Sequence, residues 1–317
     1  MPLSGDDQAV STRNLTRKFG SFTAVDQVTM NIGRGEICGF LGPNGAGKTT
    51  VIRMLCGILE PTSGSGSVLG YDIFRESEQI KRRLGYMSQK FSLYEDLSVR
   101  ENLDFYGALY EIPGRERLGR IAEMVAMAGL AGRERELVAN LSGGWKQRLA
   151  LGCAIIARPS IIFLDEPTSG VSPTSRRHFF NIIQGLANQG ITVIVATHFM
   201  DEAERCSKIA FISNGRLLAL DSPDQLKATA LDGWLVELEV AGGVSRIGDI
   251  EALPCVRECS LHGPLLHVLL ESEARMADLE QFIGVAPRPI TPSLEDVFIA
   301  LAKQSRLATG SAGTAGA

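Results

Sequence analysis

No stretch of this chain strings together the ~18 apolar residues that a membrane-spanning helix needs. Its start, MPLSGDDQAV, is acidic and lacks the apolar core of a secretion signal, so a cytosolic location is expected. Positive charge is scarce as well. The formal net charge of −4 and a pI near 5.7 argue against nucleic acid as a partner, because neutralising phosphates takes clustered Lys and Arg. The six cysteines make no usual metal pattern. Cys38, Cys56 and Cys153 sit in apolar runs and read as small buried hydrophobes, while Cys206 lies in a charged stretch. Cys255 and Cys259 precede His262 and His267, but that spacing fits no ordinary zinc arrangement. A β-hairpin turning at Gly263-Pro264 is the expectation there.

What is present is an ordinary globular composition, 44% apolar and 21% charged, over 317 residues. That length suggests one large domain and one small one. β-type runs from about residue 11 lead to the apolar strand EICGFL at 36–41, a glycine-rich loop and the helix KTTVIRMLCGIL. Residues 75–84 read as helix, 84–88 as strand, and 98–130 as helices broken at Pro113-Gly114. GSGSVLG at 64–70 reads as a turn. Beyond residue 144, the helix GWKQRLALGCAIIA, the strand IIFL, a helix from about Pro173, the strand ITVIVA and a helix near Met200 alternate. Apolar strands separated by helices predict an α/β fold with a mainly parallel sheet and a helical insert at about 90–142. Residues 229–305 read as a small α+β domain with strands at 233–240, 255–261 and 265–270 and a helix at 293–303. Residues 1–10 and 306–317 are expected to be disordered.

Three motifs carry chemistry. Gly42, Pro43, Asn44, Gly45, Ala46, Gly47, Lys48 and Thr49 form a complete G-x-x-x-x-G-K-[ST] loop between a strand and a helix. Glycines let backbone N–H groups approach a triphosphate, and the helix N-terminus favours anions. Lys48 then supplies a point charge to the phosphates and Thr49 a hydroxyl to Mg²⁺. Second, Leu141-Ser142-Gly143-Gly144 opens another helix, with Ser142 placed to cap it. Two glycines there make sense where something approaches closely. Third, Asp165 and Glu166 end the apolar strand IIFL, at the edge where open α/β sheets bind ligands. Asp165 is placed to hold Mg²⁺ through water, and Glu166 to orient or deprotonate the attacking water.

P-loop, LSGG and IIFLDEPTSG, in that order, resemble the nucleotide-binding domain of ABC transporters over about residues 11–222. The resemblance implies a P-loop ABC cassette with an antiparallel β subdomain, followed here by the small C-terminal domain. It also implies roles that the residues alone would not give. Gln89 resembles the glutamine that contacts Mg²⁺ and senses the membrane partner, and His198 the histidine that contacts the γ-phosphate. Phe19 resembles the aromatic that stacks on adenine, and Thr50 continues the phosphate loop. ATP and Mg²⁺ are the implied ligands. Two copies would close head to tail around two nucleotides, as a homodimer beneath a separate transmembrane permease at the inner face of the membrane.

Two positions depart from the family pattern. Trp145 stands where Gln is common, and Ser172 replaces the acidic residue of the usual SGLDP. The closing segment Thr291-Pro292-Ser293-Leu294-Glu295-Asp296-Val297-Phe298 resembles the extension on ATPases of daunorubicin-resistance-type exporters, although importer ATPases also carry strand-rich extensions. The run Phe91 to Asn102 falls where the family receives the permease's coupling helix. A GTPase would need N-K-x-D, which is missing, and a P-loop kinase would not explain LSGG. A catalytically silent regulatory subunit remains the second reading, motivated by Trp145 and Ser172.

Overall fold

The computed structural model describes residues 7–89, 93–240 and 243–312, which divide into two compact units between Leu220 and Asp221. The division falls before the boundary at 228 expected from sequence. The expectations placed on residues 1–6, on Phe91 and on 313–317 lie outside the described residues.

The first unit begins with β1 (Gln8–Phe19), earlier than the expected frayed end at residue 10, and β2 (Phe22–Gly33). There follow β3 (Ile37–Leu41), α1 (Lys48–Leu55), β4 (Ser63–Val68), β5 (Tyr71–Asp72), α2 (Ser77–Lys81) and β6 (Leu84–Met87). The helical insert contains α3 (Val99–Leu109) and α4 (Gly114–Ala128), and it leads to α5 (Gly143–Ile155). β7 (Ile161–Asp165), α6 (Pro173–Asn188), β8 (Thr192–Thr197), α7 (Met200–Ala203), β9 (Lys208–Ser213) and β10 (Arg216–Asp221) complete the sequence.

The core sheet has the order β10-β9-β3-β8-β7-β6, with β3, β6, β7, β8 and β9 running parallel. Every residue of β3, β7 and β8 is buried, so these strands are apolar through their middles with a core on each face. Phe40 and Phe163 face one core and Phe179 and Phe180 the other. α5 is buried almost all round, from Leu149 to Ile155, which marks it as an interior helix. A second sheet, β2-β1-β4-β5, is antiparallel. The 64–70 segment is therefore largely strand, not the turn expected from its composition, because pairing of Ser65 to Val68 with β1 overrides the low β propensity of Gly and Ser.

The insert is fastened at its start. Ser98 and Glu101 form a reciprocal capping box at α3. Asn102, fully buried, donates to the carbonyls of Tyr94 and Ser98 and accepts from the Tyr94 N–H, which fixes the approach to the helix.

The second unit holds α8 (Pro223–Thr229), β11 (Trp234–Glu239), α9 (Gly243–Glu251), β12 (Val256–His262) and β13 (Leu265–Leu270), then α10 (Met276–Ile283), β14 (Arg288–Pro289) and α11 (Leu294–Ala312). Its sheet order is β12-β13-β11-β14. β12 and β13 form the hairpin expected at Gly263-Pro264. α11 runs on to Ala312, where disorder from 306 was expected. All six cysteines are unbridged and buried.

Candidate functional site

At the C-terminal end of β3, the loop from Gly42 wraps into α1, and its glycines serve two different purposes. A Cβ on Gly42 would lie 2.0 Å from the Ile212 carbonyl oxygen, and one on Gly47 would lie 2.6 Å from that of Ala24, at a left-handed φ of 104°. Those two glycines are required by the protein's own backbone. Gly45, at φ 81°, has open space where a Cβ would go and leaves the cradle clear.

Within this loop the Lys48 ammonium donates to the carbonyls of Gly42 (2.7 Å) and Pro43 (3.0 Å) and stands 3.5 Å from a Glu166 carboxylate oxygen. Lys48 is only 4% exposed. Burial pulls its pKa below the ordinary lysine value, and the Glu166 carboxylate opposes that shift. The Thr49 hydroxyl donates to Asp165 Oδ1 at 2.8 Å. Burial raises the Asp165 carboxyl, against the Thr49 hydrogen bond that favours its ionised form. A hydroxyl, a buried carboxylate and a nearby amide make an oxygen-rich set of the kind Mg²⁺ takes, and a cation there would offset the burial of Asp165.

Glu166 occupies the centre. Its backbone is left-handed, φ 49°, and its N–H is held by the Ala196 carbonyl, so its side chain leaves the strand in a different direction from Asp165. Gln89 Nε2 donates to Glu166 Oε2 at 3.0 Å, and His198 Nδ1 stands 3.8 Å from the same oxygen. β6, β7 and β8 thus deliver Gln89, Glu166 and His198 to one point. A cleft of about 480 Å³ opens beside it, lined by Asn44 to Thr50, Gln89, Glu166, Phe19, Phe22 and Ala24.

Phe19 and Phe22 are partners across the β1–β2 turn, 47% and 64% exposed, and the Arg17 guanidinium lies over the Phe19 ring. An exposed aromatic pair at a cleft suits a flat ring. Phe22 was not singled out from sequence, because its place beside Phe19 depends on the hairpin. Glu202 was also missed. It is buried, accepts from the Thr168 and Thr197 hydroxyls, and lies 3.6 Å from Arg176, so it ties the segment after β7 to the end of β8. No sequence signal marks it.

Ser142, Gly143 and Gly144 do not line this cleft. Ser142 occupies the N-cap position of α5, but its hydroxyl makes no capping hydrogen bond, contrary to the role expected of it. Ser142 and Gly143 are exposed, and Gly143 has open space at its Cβ position. A Cβ on Gly144 would instead meet Ser175 Oγ at 2.6 Å, so that glycine is required by packing on α6. Ser172 is the N-cap of α6 and accepts from the Ser175 N–H. Trp145 lies under the Arg133 guanidinium, 3.6 Å from ring centre, and packs partly against the core.

Together the sheet, the glycine loop and the converging acidic and amide side chains define a P-loop nucleotide-binding protein. The sequence profile of the ABC transporter family matches residues 25–169. The chain is 33% identical over 309 residues to the daunorubicin resistance ATP-binding protein DrrA2 of Streptomyces coeruleorubidus, covering 93% of this chain and 95% of that one. It is 47% identical over 222 residues to the probable multidrug ABC transporter ATP-binding protein YbhF of Escherichia coli strain K12, covering 70% of this chain but only 38% of that relative. A solved dimer of the ATP-binding cassette MJ0796, bound to ADP and Pi after hydrolysis, matches with a TM-score of 0.61 at 26% identity, covering 67% of this chain and 98% of that one. This chain belongs to the ATP-binding proteins of the ABC transporter family. Among the described residues no helix is long and apolar enough to cross a membrane.

Proposed function

We propose that the chain binds and hydrolyses MgATP between two of its copies and thereby drives a separate membrane-spanning permease that exports a drug-like or lipid-like hydrophobic compound. The observation that carries this is the division of the site. Lys48, Thr49, Gln89 and Glu166 line one cleft, with Asp165 behind Thr49 and His198 beside Glu166, while the exposed Ser142–Gly143 helix end does not line it. A second copy, placed head to tail, would supply that end to the first copy's nucleotide, and the dimeric cassette found among similar structures supports this arrangement.

In this reading the main-chain N–H groups of Asn44 to Thr50 and the Lys48 ammonium hold the phosphates, and Phe19, with Phe22 beside it, takes the adenine face. Thr49, Asp165 and Gln89 would hold Mg²⁺, which would neutralise phosphate charge. Glu166 accepts the proton of the attacking water, and His198 steadies both that carboxylate and the terminal phosphate. Export is supported by relatives named for daunorubicin resistance and multidrug transport. The chain would then sit at the inner face of the membrane through its permease, with the unit from 221 onward adjusting activity. Affinity capture of the intact chain from detergent-solubilised membranes tests this: a multi-span protein should be recovered in about equal amount, and its absence would remove the transport assignment.

Ser172 separates structural from coupling roles. Asp caps helices as well as Ser does, so Ser172→Asp is expected to leave thermal stability unchanged. If the acidic group communicates between the two sites, the same variant raises the cooperativity of ATP hydrolysis measured against ATP concentration. Unchanged cooperativity would discard that role for this position.

A further inference from the structure

The pleat of the β12–β13 hairpin separates the cysteines from the histidines in this part of the sequence. Cys259 points into the core with Val268, and Cys255 joins the same core at the start of the strand. His262 and His267 emerge on the other side, their rings stacked 3.8 Å apart and nearly parallel, at 7°. α11 brings Asp296 to the same point. His267 Nδ1 lies 2.8 Å from Asp296 Oδ1, and His262 Nε2 lies 3.1 Å from that same oxygen. The His262 nitrogen is buried, and its 3.1 Å approach to Oδ1 is too poorly aligned to form a hydrogen bond, which leaves it without a well-formed partner among the described residues.

We propose that His262, His267 and Asp296 form a binding site for a divalent transition-metal ion of the zinc type. Two imidazole nitrogens and one carboxylate oxygen are borderline donors, which select Zn²⁺ over Mg²⁺ or Ca²⁺. Ligand atoms about 2.1 Å from a tetrahedral zinc stand roughly 3.4 Å from one another. The two contacts to Asp296 Oδ1 are only slightly shorter, and an ion lying in the plane of both imidazoles requires a small outward movement of Asp296 together with rotation of one ring out of the parallel stack. All three donor atoms lie within 4.8 Å of one another.

The surroundings are built as a metal's outer shell is. Ligating histidines ordinarily direct their second nitrogen at a carboxylate. His267 Nε2 does so toward Glu237, its cross-strand partner on β11, at 3.7 Å. Glu237 in turn is held by Arg288 of β14. Asp296 Oδ2 accepts from the N–H and hydroxyl of Ser293, which fixes the carboxylate with Oδ1 turned to the two imidazoles, where an ion would replace its hydrogen bond with His267. The side chains of His262 and His267 are 17% and 11% exposed, so an ion can reach them from solvent. Bound there, it would join the β12–β13 hairpin to the first turn of α11.

The test titrates Zn²⁺ into the full-length, untagged chain in excess Mg²⁺, with a chromophoric chelator as competitor. One equivalent is expected to bind and to raise the unfolding temperature, and Co²⁺ in its place should show the visible absorption of a low-coordinate site. His262→Ala and His267→Ala should each weaken binding by more than about 100-fold, and Glu237→Gln, which keeps every ligand, by about 10- to 100-fold. The last variant decides the matter should the histidine variants fail to fold. Absence of saturable Zn²⁺ binding by the parent chain, or equal affinity in the histidine variants or in Glu237→Gln, overturns the assignment.

Discussion

Glu166→Gln is expected to lower steady-state ATP hydrolysis by the purified chain about 100- to 10,000-fold, the usual worth of a positioned general base. The substitution preserves shape. An amide at this position can still meet Gln89, and the left-handed backbone that aims the side chain is set by the Ala196 carbonyl, not by the carboxylate. What vanishes is the negative charge that faces Lys48 at 3.5 Å and His198 at 3.8 Å. Lys48 is then freed for phosphate, so ATP affinity should hold or rise while turnover falls. ATP should also accumulate the chain as a stable dimer, read by size-exclusion chromatography with light scattering. Equal turnover in parent and variant would favour the silent regulatory subunit.

Lys48→Ala should show the opposite pattern, with affinity lost first. A hydrogen bond to a charged group is worth about 1.5–3 kcal/mol, so MgATP binding should weaken by about 10- to 150-fold. The expectation is sharpened by burial. The ammonium already lies within the cradle, bonded to the Gly42 and Pro43 carbonyls, and little side-chain freedom is left to lose when phosphate arrives. Equilibrium binding of a fluorescent ATP analogue measures the loss, and the unfolding temperature of the variant guards against a folding artefact. Unaltered affinity would mean that the loop is a turn and not a phosphate cradle.

The parts of the fold that announce themselves in the sequence are those whose burial is continuous. β3, β7 and β8 are apolar through their middles, with polar residues only at the ends of β7 and β8, because both faces of the sheet are covered. The strands β9 and β10 were passed over, although Asn214-Gly215 between them, both with positive φ, is a strong hairpin signal. β4 was masked by its glycines and serines, and α8, α9 and α10 by their brevity. At the site, Lys48, Thr49, Asp165 and Glu166 were readable because they follow strands at fixed offsets. Gln89, His198 and Phe19 needed the family resemblance, since nothing local distinguishes them. Glu202 and Phe22 matter only through neighbours that are distant in sequence or across a turn, and neither composition nor periodicity carries that information.

The interior placement of every thiol has a practical consequence. Burial pushes the Cys38 thiol up to about 12 and Cys259 to about 11, and it raises Cys56, Cys153 and Cys206 as well. A thiol-directed spectroscopic reporter attached to one engineered surface cysteine would therefore meet a quiet background at neutral pH. Motions of the phosphate loop or of the exposed signature end could be followed in the natural chain without first stripping it of its sulfur.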